Sequence, residues 1–417
     1  MPAAPTIRLG LRENVAQFSL LVAINAFVGA MVGLERSTLP LIGREDFGVA
    51  SSAAVLSFIV AFGLAKALTN LAAGASAARL GRRRLLITGW ALALPVPLLI
   101  AVAPSWAWIV AANVLLGVNQ GLAWSMTVVM KIDLVGPRRR GLALGLNEAA
   151  GYGGVAVAAA LSGWLAGELV ARDVLVAAGA AVALVGFALS VLFVRDTAAH
   201  VALEQSHQAD ANERPPSLRE AFRQASYGEP ALRACSQAGL VNNLNDALAW
   251  GLVPLFLAAH GADAAQIGLV AGLYPAVWGA GQIWTGHWSD RVGRKPLIVA
   301  GMLVQSAALA LLAASDGAVA LAACSAIGLG VGTALVYPTL IAAISDAVAP
   351  VARASVVGVY RFWRDMGYVA GGLAAGLLAD AIDFSATIAV IAAATAASGL
   401  WVAFDLPLRR PVIEQPA

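Results

Sequence analysis

Twelve apolar stretches recur along the 417-residue chain and constrain its fold more than any other feature. They are centred near residues 28, 61, 94, 119, 154, 184, 246, 276, 305, 331, 366 and 395. A stretch of about 20 apolar residues can cross the hydrocarbon core of a bilayer. Because lipid cannot satisfy backbone hydrogen bonds, such spans must be helical. The sequence therefore predicts an all-α membrane protein with twelve transmembrane helices. The short polar segment ahead of the first span predicts no removable signal peptide.

Composition excludes several classes of protein. Only 12% of the residues are charged and 60% are hydrophobic, whereas soluble domains carry about 25% charged residues. A soluble enzyme is therefore excluded, and no basic soluble module is present that would bind nucleic acid. Cys235 and Cys324 lie in or beside apolar spans and indicate neither a disulfide nor a metal cluster. No nucleotide-binding loop, HExxH or Gly-x-Ser-x-Gly motif occurs, so we expect no enzyme activity, catalytic residue, metal or cofactor.

The distribution of basic residues predicts the orientation in the membrane. Twenty of the 27 Lys and Arg residues fall in the loops of one side, and the opposite loops hold only Arg44 and Arg172. Cytoplasmic loops are enriched in Lys and Arg. With an even number of spans, both termini are then cytoplasmic. We expect a multi-pass protein of the bacterial inner (plasma) membrane, and the net charge of +3 reflects this topology.

The two halves of the chain repeat each other. "GASAARLGRRR" (74–84) matches "GHWSDRVGRKP" (286–296) at an offset of 212, and "MKIDLVGPRRRGLALG" (130–145) matches "AISDAVAPVARASVVG" (343–358) at an offset of 213. The longest polar segment, 196–232, separates six spans from six. Parallel repeats of this kind are typical of secondary transporters. The predicted division is 1–195 for the N-terminal bundle, 196–232 for a cytoplasmic linker and 233–417 for the C-terminal bundle.

Over essentially its full length the chain resembles the major facilitator superfamily. The cytoplasmic signature of that family is matched fully in the second repeat and, except at Ala78, in the first. The resemblance implies two pseudo-symmetric six-helix bundles and a cytoplasmic gate formed by Gly74, Arg79, Gly81, Arg82, Gly286, Asp290, Arg291, Gly293 and Arg294. In the family this turn latches the halves together. The missing carboxylate at Ala78 is then expected to weaken one latch and to favour an inward-open state, the alternative being that Ala78 is neutral.

Charged residues at membrane depth identify candidate transport residues, because an ionisable group costs several kcal/mol there unless it is paired or hydrated. In span 7, Asn242, Asn245 and Asp246 lie on one helical stripe. We interpret this stripe as a wall of the substrate cavity. The alternative is a hydrogen-bonding patch between helices.

A second stripe in span 11 contains Arg361, Arg364 and Asp365. We expect Asp365 to neutralise one of the arginines, which leaves the other for a ligand anion or an acid across the cavity. Lys66 of span 2 lies at similar depth, and together the three cations favour an anionic or zwitterionic substrate. The alternatives are a structural ion pair and a Lys66 that reaches back to the interface.

Other predicted cavity residues come from spans 4, 8 and 10: Asn119, Gln120, Trp124, Trp278 and Tyr337. All four histidines lie in loops, so a buried proton carrier has to be acidic. The candidates, in order, are Asp246, Glu148, Glu35 and Asp365. Glu35 lies towards the outer end of span 1, where it equally suits an external gate.

These features predict a secondary active transporter that moves a small anionic or zwitterionic organic solute by alternating access, coupled to protons. The alternative is a multidrug or toxicant efflux antiporter, although Gly151–Tyr152 replaces the Gly-Pro of the family's antiporter signature. A non-transporting sensor is less favoured, because the linker is too short for an output domain. The expected partners are the solute, protons and the lipid bilayer, without nucleic acid, and we expect a monomer.

Overall fold

The computed structural model of the protein describes residues 7–136, 140–206, 216–348 and 350–407. Within these ranges it describes no side chains at 74–79, 140–141, 205–206, 286–287, 350–351 and 354. Every regular element in the described ranges is a helix. This agrees with the requirement that backbone groups in a bilayer be satisfied within their own segment.

Sixteen α-helices and two π-helical turns are described. Their bounds are α1 Val15–Glu45, α2 Ser52–Leu80, α3 Arg82–Ala93, α4 Pro95–Ala101, α5 Trp106–Val135, α6 Arg140–Glu168, α7 Ala171–Leu192, α8 Ala198–Ser206, α9 Leu218–Arg223, a π-turn Gln224–Gly228, α10 Pro230–Ala247, a π-turn Leu248–Leu252, α11 Val253–Ala259, α12 Ala264–Val292, α13 Arg294–Ala313, α14 Val319–Ala347, α15 Pro350–Ala381 and α16 Phe384–Asp405.

Nine helical segments in the described ranges are long and apolar enough to cross a membrane. They are α1, α2, α3 with α4, α5, α6, α7, α13, α14 and α16. The three other regions in which the sequence predicts spans are also long helical runs, formed by α10 with α11, α12, and α15. Large apolar side chains are exposed on the outside of the bundle, among them Leu98, Val157, Leu377 and Phe404. An apolar outer surface of this extent is what a bilayer covers.

Short polar signals set the ends of the long helices. Ser51 accepts a hydrogen bond from Ala54 N at the start of α2, and Asp263 and Gln266 form a capping box at the start of α12. Such caps satisfy N–H groups that have no partner inside the helix. Gly81 and Gly293 separate α2 from α3 and α12 from α13 with φ angles of 85° and 97°. Glycine adopts these angles without the strain of a side chain. We call the end of the bundle that carries these two turns the turn end, and the opposite end the far end.

Helices distant in sequence pack closely towards the far end. The most extensive contacts between the two predicted halves are α6 with α12 and α2 with α15. Gly163 of α6 and Gly268 of α12 meet so closely that a Cβ on Gly163 would lie 2.5 Å from Gly268 Cα. Small residues allow helix backbones in membranes to approach in this way. These two contacts bring α2, α6, α12 and α15 around one shared central region.

The π-turn Leu248–Leu252 interrupts the helical run 230–259 directly after Asp246. Pro254 is the second residue of the run that follows, and its missing N–H cannot bond to the carbonyl of Trp250. π-Turns of this kind occur frequently at functional sites. Here the turn positions Trp250 beside the central region, with its side chain only 2% exposed.

Within the polar segment 196–232, Leu218–Arg223 form α9, which begins at a capping box between Ser217 and Glu220. The hydrogen bonds from the Ser217 side chain and backbone hold the pKa of Glu220 below its usual value. Phe222 of α9 packs against Phe362 and Trp363 of α15. The predicted linker is therefore attached to the helical bundle at this point, and it also contains α8, which the sequence analysis did not predict.

Candidate functional site

A buried polar network connects four helices around the predicted stripe of α15. Arg364 Nε and Nη2 both donate to Asp365 Oδ1, at 3.0 and 2.7 Å. Arg364 Nη1 donates to the hydroxyl of Tyr337 on α14 at 2.6 Å. Asn70 Nδ2 on α2 donates to Asp365 Oδ2, and Ser125 Oγ on α5 donates to Asn70 Oδ1 at 2.7 Å. The Asp365 carboxylate thus neutralises Arg364 and also joins α15 to α2.

Lys66 lies beside this network and is enclosed by aromatic rings. Its Nζ is 5.2 Å from the ring centroid of Tyr368, 5.5 Å from that of Phe62 and 5.7 Å from that of Trp124. The residue is 8% exposed. Within the described part of the chain, its ammonium group makes no hydrogen bond or ion pair. Aromatic faces attract a cation but do not neutralise it, so Lys66 can still bind an anionic group.

Glu148 on α6 has one oxygen with partners and one without. Its Oε1 accepts hydrogen bonds from Asn147 Nδ2 at 2.9 Å and from Trp124 Nε1 at 3.0 Å. Its Oε2 is buried and has no hydrogen-bond partner among the described residues. Trp124 therefore contacts both groups, with Lys66 near its ring and Glu148 at its Nε1–H.

Four aromatic rings lie next to this position. Tyr152 of α6 packs on Trp278 of α12 with ring centroids 3.5 Å apart and planes inclined by 30°. Trp124 is 5.2 Å from Tyr152, and Tyr337 is 5.1 Å from Trp278. The indole Nε1 of Trp278 is buried without a hydrogen-bond partner among the described residues. This aromatic cluster, formed by Trp124, Tyr152, Trp278 and Tyr337, joins α5 and α6 to α12 and α14.

Asp246 on α10 is fully buried and its carboxylate is bound by phenol groups. The hydroxyl of Tyr274 donates to Oδ1, and that of Tyr368 donates to Oδ2 at 3.3 Å. Thr333 Oγ1 lies 3.2 Å from the Tyr274 hydroxyl. No ion pair of Asp246 is found in the described ranges. Tyr368 also lies over Lys66 and therefore links Asp246 to the central region.

The structure separates Asn242 and Asn245 from Asp246, although the three share a stripe in sequence. Gln305 on α13 donates to Asn242 Oδ1 at 3.0 Å and accepts from Asn245 Nδ2 at 2.9 Å. Thr395 on α16 donates to Asn245 Oδ1 at 2.9 Å. The two asparagines thus bond α10 to α13 and α16. This geometry matches the alternative interpretation, a hydrogen-bonding patch between helices.

Asn119 and Gln120 on α5 are also fully buried between helices and do not reach the central region. Asn119 Nδ2 donates to the carbonyl of Gly89 on α3 at 3.0 Å, and Gln120 Nε2 donates to that of Val28 on α1 at 2.8 Å. Their side chains satisfy backbone carbonyls of neighbouring helices. Of the predicted cavity residues, the structure brings together Lys66, Trp124, Trp278, Tyr337 and Arg364, with the partly buried Arg361 one helical turn from Arg364.

Glu35 and Arg36 on α1 are buried but face different neighbours. Glu35 lines a small cavity with residues of α4 and α7, and its Oε2 has no hydrogen-bond partner in the described ranges. The Arg36 guanidinium lies 4.6 Å from the ring centroid of Phe62, 5.4 Å from that of Trp250 and 5.6 Å from that of Phe58. None of its nitrogens has a hydrogen-bond partner among the described residues. Glu35 therefore lies apart from the central network.

Several residues of the central network were not predicted as site residues: Asn70, Ser125, Asn147, Tyr152, Tyr274 and Arg36. For some of these residues the sequence does contain a pattern that indicates a site. Phe58, Phe62 and Lys66 follow at intervals of four on one face of α2, which indicates an aromatic wall beside a cation. Tyr152 and Tyr274 lie in otherwise apolar spans, where a phenol needs a polar partner.

The turn end carries equivalent ion pairs in the two repeats. Arg82 Nε lies 2.8 Å from Asp133, and the matching Arg294 Nε lies 3.0 Å from Asp346. Arg294 makes a further contact of 2.6 Å with Asp290. The first-repeat counterpart of Asp290 is Ala78, whose side chain lies outside the described residues. The predicted gate side chains at Gly74, Arg79 and Gly286 also lie outside them, and Arg291 is exposed.

Within the described ranges, no group of three or more His, Cys, Asp or Glu side chains is arranged to hold a metal ion. The nine apolar segments of membrane-spanning length in the described part of the chain, together with its buried charges, define a multi-pass membrane protein. The sequence model of the Major Facilitator Superfamily matches residues 15–236 and 235–417. The chain belongs to this superfamily, whose members are transporters.

One characterised relative is similar over a short segment. The inner membrane transport protein YajR of Escherichia coli (strain K12) is 45% identical over 60 residues. The similarity spans 14% of this chain and 13% of the relative.

Proposed function

We propose that this protein is a secondary active transporter that moves a small anionic or zwitterionic organic solute across a bacterial inner membrane. The observation that carries the proposal is Lys66, a buried ammonium group that makes no direct ion pair in the described ranges, placed where α2, α5 and α15 meet. A permanently unpaired cation at bilayer depth is costly. A bound anionic group would remove that cost, which gives the residue a function in substrate binding.

The proposed architecture is twelve spans in two six-helix halves, 1–195 and 233–417, joined by the linker 196–232, with both termini in the cytoplasm. The matched ion pairs Arg82–Asp133 and Arg294–Asp346 support the duplication. Since the turn end carries the basic loops, it would be cytoplasmic and the far end external. The close packing of Gly163 on Gly268 at the far end supports a state that is closed to the outside.

Proton coupling is assigned first to Asp246, ahead of Glu148, Glu35 and Asp365. Asp246 is fully buried, and its described partners are two phenols and not a cation. A carboxyl group in this environment can exchange a proton as water enters and leaves. Tyr368 contacts both Asp246 and Lys66. It is therefore a common neighbour of the carboxyl group that would exchange a proton and of the ammonium group that would bind the solute.

The experiment that tests this function is uptake by purified protein in proteoliposomes, with radiolabelled carboxylate and amphoteric solutes and with or without a pH gradient. We expect at least one solute to accumulate when the gradient is applied, and Lys66→Met to abolish its uptake. Uptake at the same rate without the gradient would reject proton coupling. Undiminished uptake by Lys66→Met would reject the binding site.

Multidrug efflux is the second candidate, and the aromatic cluster of Trp124, Tyr152, Trp278 and Tyr337 favours it. Aromatic surfaces bind lipophilic cations. Efflux of such cations from inverted vesicles, lost in Asp246→Asn but retained in Lys66→Met, would support this candidate over the anion-binding one.

A further inference from the structure

The charges of the central region are not equally available to a solute. Arg364 is neutralised by Asp365 through two hydrogen bonds to one oxygen. Lys131 donates to the carbonyl of Leu21 at 3.1 Å and makes no ion pair in the described ranges. Atoms near the aromatic cluster without a partner among the described residues include the Lys66 ammonium, Arg361 Nε and Glu148 Oε2. Both an unpaired cation and an unpaired carboxylate oxygen are therefore present.

The two groups contact one indole at different places. Lys66 Nζ is 5.7 Å from the ring centroid of Trp124, and the Nε1–H of the same ring donates to Glu148 Oε1 at 3.0 Å. Because both groups contact Trp124, a solute beside this indole would meet both a cation and a carboxylate oxygen. A buried carboxylate oxygen without a donor is costly, and an ammonium group on the solute would supply the donor.

The surroundings of these two groups select the body of the solute. Tyr152 and Trp278 pack closely, with their planes inclined by 30°, across the contact of α6 with α12, and the Trp278 Nε1–H has no acceptor among the described residues. A planar ring would replace one aromatic face in such a stack at little cost. A solute acceptor near Trp278 would also satisfy the free indole N–H.

We infer that the solute is a zwitterion with an aromatic body, whose anionic group binds Lys66, whose ammonium group binds Glu148 and whose ring enters the aromatic cluster. This inference rests on the proposed transport function and narrows its substrate class. It differs from an anion site, because Glu148 would repel a solute that carries only a carboxylate. It also differs from a cation site, because Lys66 would repel a solute that carries only an ammonium group.

The test uses three compounds that share one ring: L-tryptophan, tryptamine and indole-3-propionate. Isothermal titration calorimetry on the full-length purified protein avoids interference from its own 11 tryptophans. We expect L-tryptophan to bind about 10- to 100-fold more tightly than either singly charged compound, since each charge-assisted hydrogen bond contributes that much.

Two variants assign the charges. Glu148→Gln should lower the affinity for L-tryptophan to that for indole-3-propionate, and Lys66→Met should lower it to that for tryptamine. The matched controls are Glu168→Gln at the exposed end of α6 and Lys295→Met in the first turn of α13, and both should keep the wild-type order of affinities. Circular dichroism of each variant verifies that it is folded.

Parallel uptake measurements separate this inference from the proposed function. Binding of L-tryptophan in the expected order without uptake would reject transport and support the zwitterion site. Uptake of indole-3-propionate that requires Lys66 but not Glu148 would support transport and overturn the zwitterion site. Failure of all three compounds to bind, or an unchanged order of affinities in Glu148→Gln, would overturn the inference.

Discussion

The Arg364 guanidinium directs two of its nitrogens to one carboxylate oxygen of Asp365, the next residue on the same helix. The second oxygen of Asp365 accepts from Asn70, which lies 295 positions earlier in the chain. Arg364 and Asp365, which are adjacent on α15, thus neutralise each other. Asp365 also binds α2, which lies far away in the sequence. The pair contributes to the cohesion of α2 and α15, and its arginine is not a free anion site.

Asp365→Asn should destabilise the protein strongly. The substitution leaves Arg364 buried without its counter-charge, which costs about 3–5 kcal/mol. Thermal unfolding in detergent should therefore begin at a clearly lower temperature. The double variant Arg364→Gln/Asp365→Asn should lose less stability than Asp365→Asn alone. Asp383→Asn, which changes only the N-cap of α16, is the control and should unfold like the wild type. An equal decrease of the unfolding temperature in the single and double variants would contradict the pairing of Arg364 with Asp365.

Asp380→Ala should open the far end. Asp380 on α15 accepts hydrogen bonds from Ser51 Oγ and Ser52 N at 2.6 Å and from Ala53 N at 3.0 Å, so it caps α2 across the contact of α2 with α15. Loss of these charge-assisted bonds should raise labelling of a cysteine placed at Ala160 by an impermeant maleimide about tenfold, in a Cys324→Ser background.

The control for this experiment is Asp383→Ala, which removes the N-cap of α16 three residues later in the chain; Asp383 makes no described bond to α2. It should leave the labelling rate close to that of the wild type. If Asp380→Ala labels no faster than Asp383→Ala, the carboxylate does not hold the far end closed.

Arg36→Met should stabilise the protein and impair transport. The Arg36 guanidinium is fully buried among three aromatic rings, and its nitrogens have no hydrogen-bond partner in the described part of the chain. Replacing such a buried charge by an apolar side chain of similar volume often stabilises a protein by about 1–4 kcal/mol. We expect a higher unfolding temperature together with a loss of uptake, because residues needed for function often lower the stability of a protein.

Arg44→Met provides the comparison, because Arg44 binds the carbonyl of Ala50 and the hydroxyl of Ser52 near the surface. It should unfold no later than the wild type and should transport normally. A lower unfolding temperature for Arg36→Met would show that the aromatic rings stabilise this cation enough to offset its burial.

Asp246→Asn should uncouple transport from the proton gradient. The asparagine keeps an acceptor for the phenol donors of Tyr274 and Tyr368 but cannot titrate. Gradient-driven accumulation should disappear, while exchange of internal for external solute should persist. Asp316→Asn, in an exposed loop, should behave as the wild type. Persisting stimulation by the gradient in Asp246→Asn would remove this residue from the coupling mechanism.

Some of the organisation could be predicted because it repeats in the sequence. Aligning the halves pairs Arg82 with Arg294 and Asp133 with Asp346, and the structure joins each arginine to the aspartate of its own repeat. The neutralisation of one arginine by Asp365 was also predicted, since adjacent residues on a helix remain near each other in any packing. Local chemistry was sufficient in these cases.

The site could not be assembled from helical stripes alone. Asn242, Asn245 and Asp246 share one side of α10, yet the asparagines bond to α13 and α16 while Asp246 bonds to α12 and α15. A helix enclosed by neighbours presents polar groups to several of them. Periodicity gives the direction of a side chain but not the helix that it meets.

The sequence by itself determined that the chain is a helical membrane protein of a duplicated transporter family. Those properties follow from hydropathy summed over each span and from motifs that lie close together in the chain. Only the tertiary structure decided which buried charges have partners, because Asn70 with Asp365 and Trp124 with Glu148 meet through the packing of separate helices. A hydrogen-bond or ion-pair partner changes the free energy of a buried charge by several kcal/mol. Packing therefore determines whether a charged side chain stabilises the fold or remains available to a solute.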